Sequence, residues 1–250
     1  MMNPAEFANI ASAERDLWWY RGMREVVSRT LNPWLQNRRV GRALEAGCGT
    51  GFFARGLQDE LGWQVYPADL AWEGLFYARG MGLTRLSQAD LAALPFRDGA
   101  FDVVTSMDVL VHFPRGEEQR PLAELTRVLA PGGLLILRVS ALDILRSRHS
   151  QFAQERQRFT RRRLVHAAGA AGLRVLRCTY ANSLLLPVAL MKFRGWEPLL
   201  RKQPESGVQA VPQWLDSLLY SCLRAESAWL GAGFDLPLGQ SLLLVGEKTK

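Results

Sequence analysis

Three acids and a run of glycines carry the chemistry in this sequence. Leu44-Glu45-Ala46-Gly47-Cys48-Gly49-Thr50-Gly51-Phe52 sets a glutamate before a loop with glycine at every second position. Glycine has no Cβ and tolerates positive φ, so backbone in such a loop comes within contact distance of a ligand. The helix that follows opens with free N–H groups. Asp69 closes the apolar stretch Val65-Tyr66-Pro67-Ala68 about 20 residues later, the spacing at which a carboxylate meets a ribose in nucleotide-binding βαβ units. Asp90, in Gln88-Ala89-Asp90-Leu91, follows a third short stretch. The bland readings are a tight strand-to-helix turn without ligand for the glycines, and helix N-capping for Asp69 and Asp90.

Histidines are the other reactive candidates. His112, in Asp108-Val109-Leu110-Val111-His112-Phe113, is a candidate general base or a pocket wall, and His149, in Arg146-Ser147-Arg148-His149, is a candidate for the acceptor side. His166 sits in a helical run and reads as structural.

These residues need a scaffold that gathers them. Strands are expected near residues 42–46, 64–69, 84–88, 101–107 and 133–139, with helical patterning between them. That alternation implies a mostly parallel sheet with helices on both faces. Right-handed crossovers then line up the strand C-termini along one edge, where open α/β sheets bind ligands. Gly47, Asp69, Asp90 and Met107 all fall at expected strand ends.

Composition narrows the class. The chain has 250 residues and a formal charge of +7, carried almost wholly by arginine. Its length favours one elaborated domain, and its charge favours acidic partners without specifying a fold. Three separated cysteines, Cys48, Cys178 and Cys222, offer neither a zinc pattern nor a disulfide framework. No apolar run approaches the ~18 residues of a membrane span, and no signal-peptide core is visible, so a cytoplasmic location is expected.

Residues 13–35 read as a helix stopped near Asn32-Pro33, carrying the aromatic string Trp18-Trp19-Tyr20-Arg21. It either packs on the core edge or caps a bound ligand. Residues 142–171 are arginine-rich, with Thr160 as an N-cap. Such a run is ordinarily a solvated face. The alternatives are an anion gate containing Arg146, a nucleic-acid patch or contact with acidic lipid. Strand six is expected at residues 172–180 and a last strand at 241–246. Between them lie two apolar helical stretches, residues 184–191 and 214–220, joined by a polar linker over 202–208.

Together with Arg127-Val128-Leu129-Ala130-Pro131-Gly132-Gly133-Leu134, these features resemble the class I S-adenosylmethionine-dependent methyltransferases over residues 42–180. The Trp18-Trp19-Tyr20-Arg21-Gly22 string is similar to one found in bacterial type 11-like members. The resemblance implies a Rossmann-like, seven-stranded α/β sheet, mostly parallel, with an antiparallel last strand. It implies an N-terminal helical cap (residues 1–40), a cofactor-binding core (41–182), a helical lid inserted between strands six and seven (183–238), and the last strand (239–250).

The implied cofactor is S-adenosylmethionine, with no metal. Glu45 and the Gly47-Cys48-Gly49-Thr50-Gly51 loop would face its methionine end, and Asp69 its ribose hydroxyls. Leu70 would pack on adenine, with Asp90 and the Leu91 backbone at the adenine amino group. Ser106 and Met107 would lie along the methionine. Trp18, Trp19, Tyr20, Arg21 and Arg146 would face the acceptor.

Missing motifs point to the acceptor. No Asn/Asp-Pro-Pro-aromatic string follows strand four, no Pro-Cys nucleophile appears, and no acidic cluster marks a magnesium site. A small, lipophilic or amphipathic acceptor is therefore expected, with no DNA and with peripheral membrane contact left open. The competing readings are an RNA-directed methyltransferase using the arginines and a non-catalytic cofactor-binding subunit. A nicotinamide enzyme fits poorly, because its fingerprint is GxGxxG and the glycines here run GxGxG. Acceptor atom and oligomeric state are not legible.

Overall fold

The computed structural model describes residues 2–36, 38–200, 203–209 and 211–249. Seven strands form one sheet in the order β3-β2-β1-β4-β5-β7-β6. They are β1 (Arg42–Ala46), β2 (Gln64–Asp69), β3 (Ser87–Gln88), β4 (Phe101–Met107), β5 (Leu129–Ser140), β6 (Leu173–Ala181) and β7 (Ser241–Lys248). The first five pair in parallel, whereas β7 runs antiparallel between β5 and β6. The central strands are apolar on both faces, as Leu44, Val104, Leu135 and Leu244 on one side and Ala43, Val103, Leu134 and Leu243 on the other illustrate, because helices cover both sides.

After α5 (Gln119–Val128) come the short α6 (Arg148–Phe152) and α7 (Arg161–Ala170); α5 and α7 form one layer, packing Leu122, Leu125, Leu164 and Ala168 against the sheet. The other holds α2 (Trp18–Leu35), α3 (Phe52–Leu61), α4 (Trp72–Gly80) and α10 (Gln213–Gly231). Thr160 caps α7 as expected, its hydroxyl accepting the Arg163 N–H at 3.4 Å.

Several expectations need correction. The helix expected over 13–35 is α2, which begins only at Trp18 after an extended Leu17, and a separate α1 (Pro4–Ala13) precedes it. Helix α2 also runs through Pro33, because a proline near a helix end removes little hydrogen bonding and Gln36 still donates to the Asn32 carbonyl at 3.1 Å. The strand expected over 84–88 shrinks to Ser87–Gln88, an edge segment paired only to Ala68 and Asp69. The Pro131-Gly132-Gly133 turn is an irregularity inside β5, where the register with β4 shifts between Phe101 and Val103 and Gly132 takes φ +74°.

The segment between β6 and β7 divides in two. Its first helix, α8 (Leu186–Leu190), continues through a wide turn over Met191–Trp196 into α9 (Glu197–Leu200) and lies over the sheet's C-terminal edge. Its second, α10, packs along α2 and is only partly a lid. Close approach of α2 and α10 depends on Gly22, where a Cβ would sit 2.5 Å from Leu223 Cδ1. Glu226 of α10 accepts the N–H groups of Asn182, Ser183 and Leu184, fixing where the chain leaves β6 toward the lid.

Candidate functional site

The loop after β1 is tied to β2 before any ligand is considered. Gly47 N–H and Cys48 N–H both donate to the Ala68 carbonyl, at 2.7 and 2.9 Å. Gly47, Gly49 and Gly51 take φ of +82°, +53° and +83°. Two of these glycines serve packing. A Cβ on Gly47 would stand 2.1 Å from Val109 Cγ2, and one on Gly51 would stand 2.7 Å from both Ala78 Cβ and Leu83 Cδ1. Gly49 has open space where its Cβ would be and borders a cavity of about 1000 Å³.

Carboxylates gather beside that loop. Asp69 accepts Gly49 N–H through one oxygen and Ala71 N–H through the other, each at 2.8 Å. Burial pushes its carboxyl above the ordinary range, against those two hydrogen bonds. Asp90 accepts Ala92 N–H at 2.9 Å in a local turn. Both line the cavity, and each carboxylate keeps lone pairs for a ligand. Glu45 is 2% exposed, and its Oε2 is buried without a hydrogen-bond partner. Burial first, then the negative charge of Asp69, hold its carboxyl well above its ordinary value. An unsatisfied buried acceptor is costly unless a donor arrives. An ammonium group fits it, and the exposed Leu70 on the same wall fits an aromatic face. The residues present therefore suit a molecule with an ammonium group, a diol and an aromatic base.

The opposite wall is built from distant segments. His112 borders the cavity with Nδ1 at 3.3 Å from the Gln154 carbonyl. A carbonyl only accepts, so the proton resides on Nδ1 and Nε2 keeps its lone pair. Burial lowers the pKa of this ring below its ordinary value. Trp18, Trp19 and Tyr20 line the cavity from α2, and Leu185, Val188, Phe193 and Trp196 line it from the lid. Arg138 on β5 lies under Trp19, its guanidinium 4.7 Å from the ring centroid, and pairs with Asp108.

Residues 44–137 match the family model described as a methyltransferase domain. The chain carries a methyltransferase domain over these residues. Over 102 residues the chain is 42% identical to the demethylmenaquinone methyltransferase of Thermus thermophilus, a match covering 38% of this chain and 46% of that protein. Over 117 residues it is 34% identical to "Probable tRNA methyltransferase 9B" of Mus musculus, covering 45% of this chain and 25% of that one. The chain thus spans under half the length of these curated relatives. Its fold is similar to the methyltransferase solved in complex with the Haloferax volcanii Trm112 methyltransferase activator, with a TM-score of 0.61, 20% identity and 98% of each chain covered.

Of the expected contacts, Glu45, Gly47, Cys48, Gly49, Asp69, Leu70, Asp90, Leu91 and Met107 border the cavity. Ser106 and Gly51 do not. Ser106 is buried in β4 facing away from Met107, as strand alternation requires. Arg21 also lies outside, paired with Asp216 and stacked 4.6 Å over Tyr220. Arg146 is exposed and donates to the Arg156 carbonyl at 2.7 Å. His149 borders the cavity but is engaged, its Nδ1 accepting Gly207 N–H at 3.0 Å and so fastening the lid's linker.

Sequence reasoning missed Glu14, Asp108 and Arg138. Asp108 had a signal, since it directly follows the end of β4 and takes φ +57° there. Glu14 had none, because only tertiary packing brings it to the loop.

Proposed function

We propose that the chain transfers the methyl group of S-adenosylmethionine to a small amphipathic metabolite. The observation that carries this reading is the unpartnered, buried Glu45 Oε2 beside Gly47 and Gly49, on the same cavity as Asp69. In it, Glu45 and the glycine-loop backbone hold the methionine end, Asp69 the ribose diol, and Leu70, Asp90 and Leu91 the adenine. When bound, the cofactor supplies a methyl group already activated on a sulfonium, so the protein's work is alignment and exclusion of water. The lid helix and the Trp18 and Trp19 wall close the acceptor side with apolar surface. His112, neutral and with Nε2 free, takes the proton of a hydroxyl or amine acceptor.

A second reading is RNA methylation, favoured by the relative named for tRNA and by the exposed Arg156, Arg161 and Arg162. Much of the arginine-rich stretch is used internally, however. Arg163 pairs with Glu118, and Arg158 pairs with Glu155 at 3.0 Å. A partner protein of the kind found in the Haloferax complex belongs with this second reading.

The test is to incubate the protein with methyl-labelled cofactor and cell extract, then partition the label among organic solvent, aqueous small molecules, RNA and protein. Label in the organic phase, absent with an Asp69→Ala control, supports the amphipathic acceptor. Label in RNA overturns it in favour of the second reading.

A further inference from the structure

Glu14 lies in the break between α1 and α2, and the fold carries it onto the glycine loop. Thr50 donates its hydroxyl to Glu14 Oε2. The other oxygen, Oε1, is buried and has no partner, and the residue is 1% exposed. Glu14 borders the same cavity as Glu45 and Gly49, and its charge is among those that push the Glu45 carboxyl upward. Two buried carboxylate oxygens without hydrogen-bond partners among the described residues, from separate parts of the chain, therefore border one cavity beside the glycine loop.

Among the described residues no cation hydrogen-bonds to either oxygen. Arg15 points to solvent, Arg138 is paired with Asp108, and Arg24 is stacked over Phe52 at 5.3 Å and paired with Glu60 at 3.5 Å. A buried carboxylate demands either a proton or a compensating cation. The group that suits two such acceptors on one cavity is a primary ammonium, with its three N–H donors. We infer that Glu14 is a second carboxylate of the cofactor site, holding the α-ammonium of the methyl donor together with Glu45. This rests on the methyl-donor reading above. It gives the N-terminal helices a direct ligand contact, with Thr50 as the group that positions Glu14.

The test compares S-adenosylhomocysteine with 5′-methylthioadenosine, which shares the nucleoside and sulfur but lacks the amino-acid end, by calorimetric titration. Glu14→Gln keeps the size and the Thr50 hydrogen bond while removing the charge. The expected result is a loss of about tenfold or more in affinity for S-adenosylhomocysteine, with affinity for 5′-methylthioadenosine unchanged. Thr50→Val, which removes no charge, should show a smaller loss with the same selectivity. An equal loss for both probes would make Glu14 a structural latch, and no loss for either would remove it from the site; both overturn the inference. A wild-type protein that binds neither probe would bring down the methyl-donor reading itself and the inference with it.

Discussion

Asp69 and Gly49 are joined by a 2.8 Å hydrogen bond from the Gly49 N–H to the Asp69 carboxylate. The end of β2 thereby sets the tip of the loop that follows β1, so one side chain both shapes the glycine loop and faces the cavity. Replacing it with alanine removes both functions. Asp69→Ala should lower affinity for S-adenosylhomocysteine by several-fold to a hundredfold, from roughly 1–3 kcal/mol of lost hydrogen bonding. Calorimetric titration of a variant shown to be folded checks this, and unchanged affinity would remove Asp69 from the ribose site.

Glu14 makes stability depend on pH. Burial raises its carboxyl from 4.5 to about 7, while the Thr50 hydrogen bond and the nearby charge of Arg15 pull the other way. Glu45 on β1 and Tyr20 on α2 are the other titratable groups facing it. Between pH 4.5 and about 7 the folded state holds a proton that the unfolded chain has released. Stability from this group therefore falls as pH rises through that window and levels off above it. Glu14→Gln removes the effect, so the melting temperature of wild type should drop relative to the variant by ~2 °C or more between pH 5 and pH 8. A difference independent of pH would show that Glu14 does not titrate there.

Burial lowers the pKa of His112 and favours its neutral ring, with the proton on the Gln154 side. As the base for a hydroxyl or amine acceptor, it predicts that His112→Asn slows turnover by ~100-fold while affinity for S-adenosylhomocysteine stays near wild type. The loss of turnover on acidification should have its midpoint below the ordinary histidine value of 6.5, because burial lowers the ring's own. A near-native rate in the variant would leave His112 a pocket wall.

Gly47 is the least replaceable residue of the loop. It combines φ +82° with a Val109 methyl 2.1 Å from where a Cβ would sit. Gly47→Ala should cost about 1–3 kcal/mol of stability, from backbone strain and overpacking against Val109. The double variant with Val109→Ala should recover part of that loss, the strain remaining. Chemical denaturation measures both, and equal stabilities for wild type and Gly47→Ala would contradict the geometry.

The binding edge was legible because its signals are local. Strand ends at Ala46, Asp69 and Met107 agree with the expected positions, since each is marked by an apolar run followed by a polar or glycine-rich break. The two-residue period of strands also sorts neighbouring residues between faces. Met107 at the cavity places Ser106 on the far face. Other residues were hidden because their partners are distant in sequence. Arg21 follows three aromatic residues that line the cavity, yet Asp216, 195 positions later, draws it into the contact between α2 and α10. Gly51 looked like a ligand contact and is a packing glycine beneath α4, which no local pattern distinguishes. Glu14 reads as a surface glutamate until α1 and α2 fold back over Thr50.

The central claim is that the cavity beside Gly49 holds the methyl donor. The most direct test is titration of S-adenosylhomocysteine into the purified chain, with Asp69→Ala and Glu14→Gln alongside. One-to-one binding that weakens in both variants is the result expected. A folded wild-type protein that shows no binding would contradict the assignment of Glu45, Asp69 and Asp90 to a cofactor site.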